Sequence, residues 1–375
     1  MIHTDSRSLE WIDHVATSYP ILNKTLIEKS IRAFSLLESL ARSGCPFCFK
    51  GGTAIMLMTD SSRRLSIDID IICPPGTDVA KYVNTYAADY GFSDIQLTER
   101  KSARNIPKSH AKYFYQVSYV TNTDTDTILL DVLFEDLHYG QVVQHPIRSP
   151  FLKTEGEDVM VNVPSVADIL GDKLTAFAPH TTGVPFFKGE RDCSVDIIKQ
   201  MFDVASLLDI VDDLQLTAQT FNKFAEVELG YRDKQDMAPK DVLQDAIDTA
   251  LCISMRGLHS PEEFKSLSDG IKRLRSNVHS CKYNLDYAIV DASKAAYTAA
   301  MVMNGKTEIK RFTKDMSPML ADLNMGKSLP TKLNKLKKTH PEAFYYWTLV
   351  DELLSDELHI EYTKAIITQQ CVSNR

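Results

Sequence analysis

The stretch that most constrains the fold runs from Lys50 to Ile72. Phe47-Cys48-Phe49 reads as a short apolar strand, Gly51-Gly52 as a tight turn, and Thr53 to Met58 as the start of a helix. Further on, Ile67-Asp68-Ile69-Asp70-Ile71-Ile72 alternates with a period of two. Asp68 and Asp70 therefore point to one face of a strand and the isoleucines to the other. Two carboxylates on one strand face repel each other and call for a counter-ion. Hard divalent cations such as magnesium accept such oxygens, commonly alongside substrate phosphates. A glycine pair at a helix start lets backbone N–H groups approach an anion. Glycine turn and carboxylate pair together point to metal-assisted chemistry on a nucleotide. A solvated edge strand is the plainer alternative.

These residues resemble the signature of the DNA polymerase beta-like nucleotidyltransferase superfamily, a Gly-Gly or Gly-Ser turn followed by Asp-x-Asp. Within it, Gly51-Gly52-Thr53-Ala54 with Arg64-x-Ser66-x-Asp68-x-Asp70 is similar to the AbiEii/AbiGii toxin branch. An Asp-x-Asp by itself is common on exposed strands. Turn, helix, arginine, serine and carboxylate pair together are far more specific.

A chain of 375 residues accommodates two or three units sharing a sizeable core. Its 44% hydrophobic and 25% charged residues are ordinary for a soluble globular protein. No run approaches the roughly 18 apolar residues of a membrane span, and Met1-Ile2-His3-Thr4-Asp5-Ser6 does not resemble a secretory signal. A cytoplasmic protein without a membrane partner is expected. Seven cysteines, an odd count, argue against a disulfide framework. Cys45-Pro-Phe-Cys48 has redox or zinc spacing but no second Cys or His pair at finger distance, so buried thiols are expected. The net charge of −8 argues against a protein that coats nucleic acid. A local basic groove stays open: Lys272, Arg273, Arg275, Lys327, Lys332, Lys335, Lys337 and Lys338 form either an RNA-contacting surface or a solvated helix face.

Along the chain, residues 7 to 43 read as helical, with Ile27, Ile31, Phe34, Leu37 and Leu40 at steps of three and four and Gly44 placed to end the helix. Val79 to Tyr90 reads as another helix, and the basic residues Arg100, Lys101, Arg104, Lys108 and Lys112 as a connection. Phe114 to Val120 is rich in aromatic and branched residues, as strands are, and Thr123 to Asp126 turns it back into Thr127 to Phe134. Asp131 is a lone charge in that apolar strand, expensive unless paired or bound to metal. Glu135 and Asp136 are expected to face solvent. Val161 to Pro164 reads as the last strand of the sheet and a boundary, giving domains 1–164 and 165–375. Ser165 is a helix cap for Asp168 to Leu174, and residues 179 to 191 form an ordered cover near the site. Ser194 to Val211 and Asp286 to Met303 are helices, Lys199 and Asp203 an i,i+4 ion pair, and Tyr345, Tyr346 and Trp347 packing residues. Gly305-Lys306-Thr307 and Gly326-Lys327-Ser328 mimic the end of a P-loop but lack its leading glycine.

With the resemblance, the chain reads as α+β: a small mixed β-sheet nucleotidyltransferase domain flanked by helices, then a mostly helical C-terminal domain completing the nucleotide site. The resemblance implies that Asp68, Asp70 and Asp131 bind Mg2+. It also implies that Lys50, Gly51, Gly52, Thr53, Arg64 and Ser66 serve the nucleotide. Asp168-x(4)-Lys173-Leu174 is similar to a family motif whose lysine contacts the nucleoside triphosphate; on the residues alone, Lys173 is a surface charge. Asp203 falls at the final motif aspartate, although its usual Arg-Asp lead-in is displaced to Arg191-Asp192. The implied function is a magnesium-dependent nucleotidyltransferase, the toxin of a toxin–antitoxin or phage-defence system. It would move a nucleotide from NTP to an RNA, a tRNA acceptor end in particular, and be checked by an antitoxin protein. AMP transfer to protein and a catalytically silent nucleotide-binding or interaction module are the alternatives. A silent relic has no reason to keep a costly acidic cluster, which favours an enzyme.

Overall fold

The computed structural model describes residues 1–59, 63–100, 109–122 and 125–355. Over the described residues the chain forms two compact units. The first is Met1–Ile169 with Arg275–Lys282, and the second Leu170–Leu274 with the described residues from Tyr283 on.

The first unit begins with α1 (Leu9–Ser18) and α2 (Lys24–Arg42), followed by β1 (Cys48–Lys50), α3 (Gly51–Met58), β2 (Ile69–Cys73) and the short α4 (Ala80–Val83). Next come β3 (Asp94–Arg100), β4 (Ser109–Ser118), β5 (Thr125–Phe134), β6 (Val142–Pro146), β7 (Met160–Pro164) and the start of α5 (Val166–Ala176). The helix expected over 7–43 is broken. Pro20 has no N–H to donate and pushes Tyr19 out of helical geometry, so α1 stops before it and Asn23 caps α2 by accepting from the Thr25 amide at 2.7 Å. In α2 the periodic Ile27, Ile31, Phe34, Leu37 and Leu40 are buried. Two acidic side chains go in with them. Glu28 accepts the Val120 and Thr121 amides at 3.0 and 3.1 Å and pairs with Arg32 at 3.2 Å. Glu38 accepts the Ile2 amide at 2.9 Å and the Tyr90 hydroxyl at 2.5 Å. Paired in this way, buried charges are tolerated and fix where the helix docks.

Among the described residues the main sheet has the order β1-β2-β5-β4-β3. It is mixed: β2 and β5 are parallel, and the other neighbours are antiparallel. Ile69, Ile71, Leu130, Val132, Ala111, Tyr113, Tyr115 and Val117 are buried on one face, and α2 packs on β2 and β5. The interleaved residues Asp70, Asp131 and Lys112 are half-buried on the other. Strand β3 was not foreseen. Lys101, Arg104 and Lys108 of the expected basic connection lie outside the described residues, as do Thr123 and Asp124 of the expected turn. Strand β7 is not the last strand of this sheet; it pairs with β6 in a separate ribbon. The helix expected over Val79–Tyr90 is only α4 and a 3-10 turn at Ala88–Tyr90. Cys45, Cys48 and Cys73 behave as small hydrophobes: all three are buried and free, and burial pushes the Cys48 thiol up to about 12.

The second unit holds the rest of α5, the small hairpin β8 (Phe187–Lys188) and β9 (Arg191–Asp192), then α6 (Ser194–Leu208), α7 (Leu214–Tyr231), α8 (Pro239–Ser254) and α9 (Pro261–Leu274). It continues with α10 (Leu285–Met303), α11 (Leu336–Thr339) and α12 (residues 341–355). Ala292, Ala295, Ala296, Ala299 and Ala300 are fully buried, and α10 packs on α6 and α8. Trp347 and Tyr346 are packing residues: both are buried, and the Trp347 indole donates to Ser254 Oγ at 3.0 Å. The P-loop mimic at Gly326 has an internal occupant. The amides of Gly326, Lys327, Ser328 and Leu329 donate to the buried Asp351 carboxylate at 2.7–3.1 Å.

Candidate active site

The two halves of the Lys50–Ile72 stretch fit each other atom against atom. Gly51 opens α3 with φ +80°, and a Cβ there would lie 2.2 Å from Asp70 Oδ2. At Gly52 a Cβ would lie 2.7 Å from Arg64 Nη2 and 2.9 Å from Ser66 Oγ. Each glycine therefore vacates the space that a residue of the second half occupies. Thr53 is fully buried, and its hydroxyl donates to the Asp68 carbonyl at 2.6 Å, tying the helix to the entry of β2. The Ser66 amide faces Met56 Sδ at 2.9 Å. Arg64 is buried; its guanidinium donates to the Leu65 carbonyl at 3.3 Å. The strap Arg275–Lys282 runs beside this segment: Leu65 donates to the Asn277 carbonyl at 2.8 Å, and Arg64 bridges to Val278.

Across the sheet the charged residues stand in register. Lys50 is opposite Asp70, Asp70 is beside Asp131 on the parallel strand, and Asp131 is opposite Lys112. Neighbours in register share a face, so the row reads lysine, aspartate, aspartate, lysine. Asp68 immediately precedes β2 and is exposed. Lys50 Nζ lies 6.0 Å from the Tyr139 ring centroid. The Lys112 ammonium hydrogen-bonds Asp131 Oδ2, and His110 Nδ1 lies 3.8 Å from Oδ1. Burial pushes the Asp131 carboxyl up, but His110 and Lys112 outweigh it and hold the group below the usual carboxylate value.

Among the described residues no three His, Cys, Asp or Glu side chains converge into a metal-holding group. Asp131 is turned to β4, and Asp68 lies outside the strand. Magnesium, however, commonly takes only one or two protein carboxylates and fills its shell with phosphate and water. Asp70 and Asp131, hard oxygen donors side by side, with Gly51 making room for the Asp70 carboxylate, fit such a site.

Lys173 and Asp203 meet within the second unit. The Lys173 ammonium is 3.0 Å from Asp203 Oδ2 and donates to Gln200 Oε1 at 2.9 Å; the residues are 9% and 2% exposed. The i,i+4 pairing of Asp203 with Lys199 is thus replaced by a tertiary pair, while Lys199 turns to Asp196 at 3.2 Å. Ser165 is the helix cap, accepting the Asp168 amide at 3.1 Å, and the buried Asp168 carboxylate accepts the Gly140 and Gln141 amides at 2.7 and 2.9 Å and the Ser165 hydroxyl at 2.7 Å. Glu135, expected in solvent, is buried; Asp136 is exposed. The segment from His180 is ordered by Asp245, which accepts from the His180 and Thr181 amides at 2.8 Å. Of the basic residues, Lys272 pairs with Asp269 and Arg273 with Asp192, each at 2.8 Å, whereas Lys327, Lys332, Lys335 and Lys338 are exposed. The sequence does not single out His110 and Lys112, which lie beside Asp131, as site residues. The alternation of Lys112, Phe114 and Gln116 with Ala111, Tyr113 and Tyr115 carried the signal.

A glycine turn shaped around an aspartate, with a second aspartate beside it in register, suits metal-assisted chemistry on a phosphate. The family model described as nucleotidyl transferase AbiEii toxin, Type IV TA system, matches residues 35–288, and the chain belongs to that family. It is a nucleotidyl-transferring toxin, of a family that generally uses a nucleoside triphosphate and a divalent metal and is paired with an antitoxin. No curated protein matches the sequence. Among solved structures, the crystal structure of JHP933 from Helicobacter pylori is similar at 14% identity and a TM-score of 0.44, over 76% of this chain and 94% of that one. No helix among the described residues is long and apolar enough to cross a membrane.

Proposed function

We propose that the protein is a magnesium-dependent toxin of the cytoplasm that transfers a nucleotide from a nucleoside triphosphate to an RNA, at a tRNA acceptor end. The observation that carries this reading is the register of Asp70 beside Asp131, with the Asp70 carboxylate seated against Gly51. Asp70 and Asp131 would hold the metal, which when bound supplies positive charge to the attacking oxygen and the departing pyrophosphate, and Asp68, at the entry of β2, is the further carboxylate assigned to it. The chain's own part is to place these carboxylates and the phosphates. Gly51 and Gly52 bring the backbone N–H groups at the start of α3 within reach of an anion. Arg64 and Ser66, seated against Gly52, and Lys50 in the charged row stand on the nucleotide side of the assignment. Thr53 acts through Asp68, since its hydroxyl is already committed to that residue's carbonyl. The triphosphate contact is assigned to Lys173 on its motif alone. Asp203 is assigned to hold that lysine.

The acceptor is assigned to RNA because exposed lysines at 327, 332, 335 and 338 offer the phosphate contacts that dominate nonspecific RNA affinity. The test is to incubate the protein with magnesium, each labelled triphosphate, and total cell RNA or total cell protein. Label at tRNA ends is the expected result. Label in protein alone would replace this reading with AMP transfer, and no label with any acceptor would leave a silent module.

A further inference from the structure

The charged row on this half-buried sheet face poses a problem of its own. Asp70 and Asp131 are register partners on adjacent strands, whose backbones run about 4.8 Å apart, and two like charges on one half-buried face repel each other. Asp131 is answered from β4: Lys112 takes one of its oxygens and His110 lies beside the other. The Lys112 and Asp131 side chains are only 22% and 25% exposed, so water screens their pairing weakly. A cation approaching Asp131 therefore finds it already engaged.

We propose that Lys112 is a positioning residue that stands in for the divalent cation at Asp131 in the free protein and is displaced when metal enters with nucleotide. This rests on the reading of Asp70 and Asp131 as the metal carboxylates. A bare metal ion must break the Lys112–Asp131 pair and offers the displaced ammonium nothing in return. A metal ion arriving with a triphosphate brings phosphate oxygens to which the ammonium can turn. Metal alone then binds weakly, nucleotide strengthens it, and Lys112 carries part of that coupling. The same pair keeps the carboxylate row compatible with a folded sheet before any metal is bound.

The test titrates the full-length protein with Mn2+, following free Mn2+ by its paramagnetic resonance signal, with and without a non-hydrolysable ATP analogue. Wild type is compared with Lys112→Met, Lys112→Arg and Asp70→Asn. Lys112→Met should bind Mn2+ alone about tenfold tighter, within the usual range of coupling between linked sites, and gain less from the analogue. Lys112→Arg should behave as wild type. Should the methionine variant fail to fold, Lys112→Gln makes the same comparison. Equal Mn2+ affinity and equal analogue enhancement in wild type and Lys112→Met, with binding still lost in Asp70→Asn, would overturn the role of Lys112 and leave the metal reading standing. Mn2+ binding unaffected by Asp70→Asn would remove both.

Discussion

The fit of Gly51 to Asp70 can be tested with a graded series of alanine substitutions. Gly44 and Gly51 have nearly the same left-handed backbone, φ +77° and +80°, so alanine at either meets the same local strain, about 1–2 kcal/mol. They differ in what the new methyl would touch. At Gly44 nothing lies within 4 Å, whereas at Gly51 the Asp70 carboxylate lies at 2.2 Å. Gly51→Ala must therefore add an overpacking cost of about 1–3 kcal/mol and push Asp70 out of register with its neighbours. Gly52→Ala is intermediate, because it meets the movable ends of Arg64 and Ser66 at 2.7 and 2.9 Å. Urea unfolding followed by circular dichroism reads the stability, and pyrophosphate release reads the chemistry. Gly44→Ala should lose about 1–2 kcal/mol and keep its rate. Gly51→Ala should lose about 2–5 kcal/mol and at least about a hundredfold in rate, as a misplacement near 1 Å can cost that much. A Gly51→Ala protein with the stability of Gly44→Ala and a native rate would refute the reasoning.

Lys173→Ala strands the buried Asp203 carboxylate and should cost about 3–5 kcal/mol in urea unfolding; Lys173→Met combined with Asp203→Leu should recover most of it, and a loss near zero in the single variant would show that the pair is not buried as described. His180 is raised to about 9 by its hydrogen bond to Asp245, with Glu263 on its other nitrogen, against the lowering effect of burial. Its folded pKa exceeds the ordinary value of 6.5, so its stabilisation is complete below about pH 6.5 and fades as pH rises through 9. Thermal melts from pH 6 to 10 should show that decline in wild type and a flatter profile in His180→Gln. Charge reversal at the exposed Lys335 and Lys338 should lower RNA labelling and its salt sensitivity together while nucleotide binding survives. Lys337→Glu should instead destabilise the fold, because Lys337 donates to the Ala321 carbonyl at 2.9 Å and lies 5.3 Å from the Phe344 ring centroid. Expression without an antitoxin should slow growth, and Asp68→Ala should relieve it.

The strand–turn–helix core and the strand that carries Asp70 were legible because each is a local pattern, a glycine pair or an apolar run, whereas the period of two carried the strand back over Asp68, which lies before β2. Asp131 stood out as a single charge among apolar neighbours, and register explains why it is tolerated there. What the sequence could not reveal was pairing over long separations. Lys199 and Asp203 looked like helix partners, yet Asp203 finds Lys173 thirty residues away because both point into the same buried space. Lys112 sat at the end of a basic run and looked like connection until β4 placed it across from Asp131. Glu135 was read as solvent-facing from its position after the strand, but its burial depends on what folds over that end. The break at Pro20 was readable and was overridden by apolar periodicity on either side. The P-loop mimic was excluded by its missing glycine, and Asp351, which fills that nest, lies 22–25 residues further on.

We propose that Asp70 and Asp131 form a metal-dependent nucleotidyl-transfer site. Pyrophosphate release by the purified protein, with each of the four nucleoside triphosphates and total RNA, in magnesium and then in excess chelator, tests it most directly when Asp70→Asn and Asp131→Asn are run alongside wild type. Release is expected with at least one triphosphate, lost in chelator and reduced by orders of magnitude in both variants while their circular dichroism stays native. Release at the wild-type rate from a folded Asp70→Asn protein, or release indifferent to chelator, would contradict it.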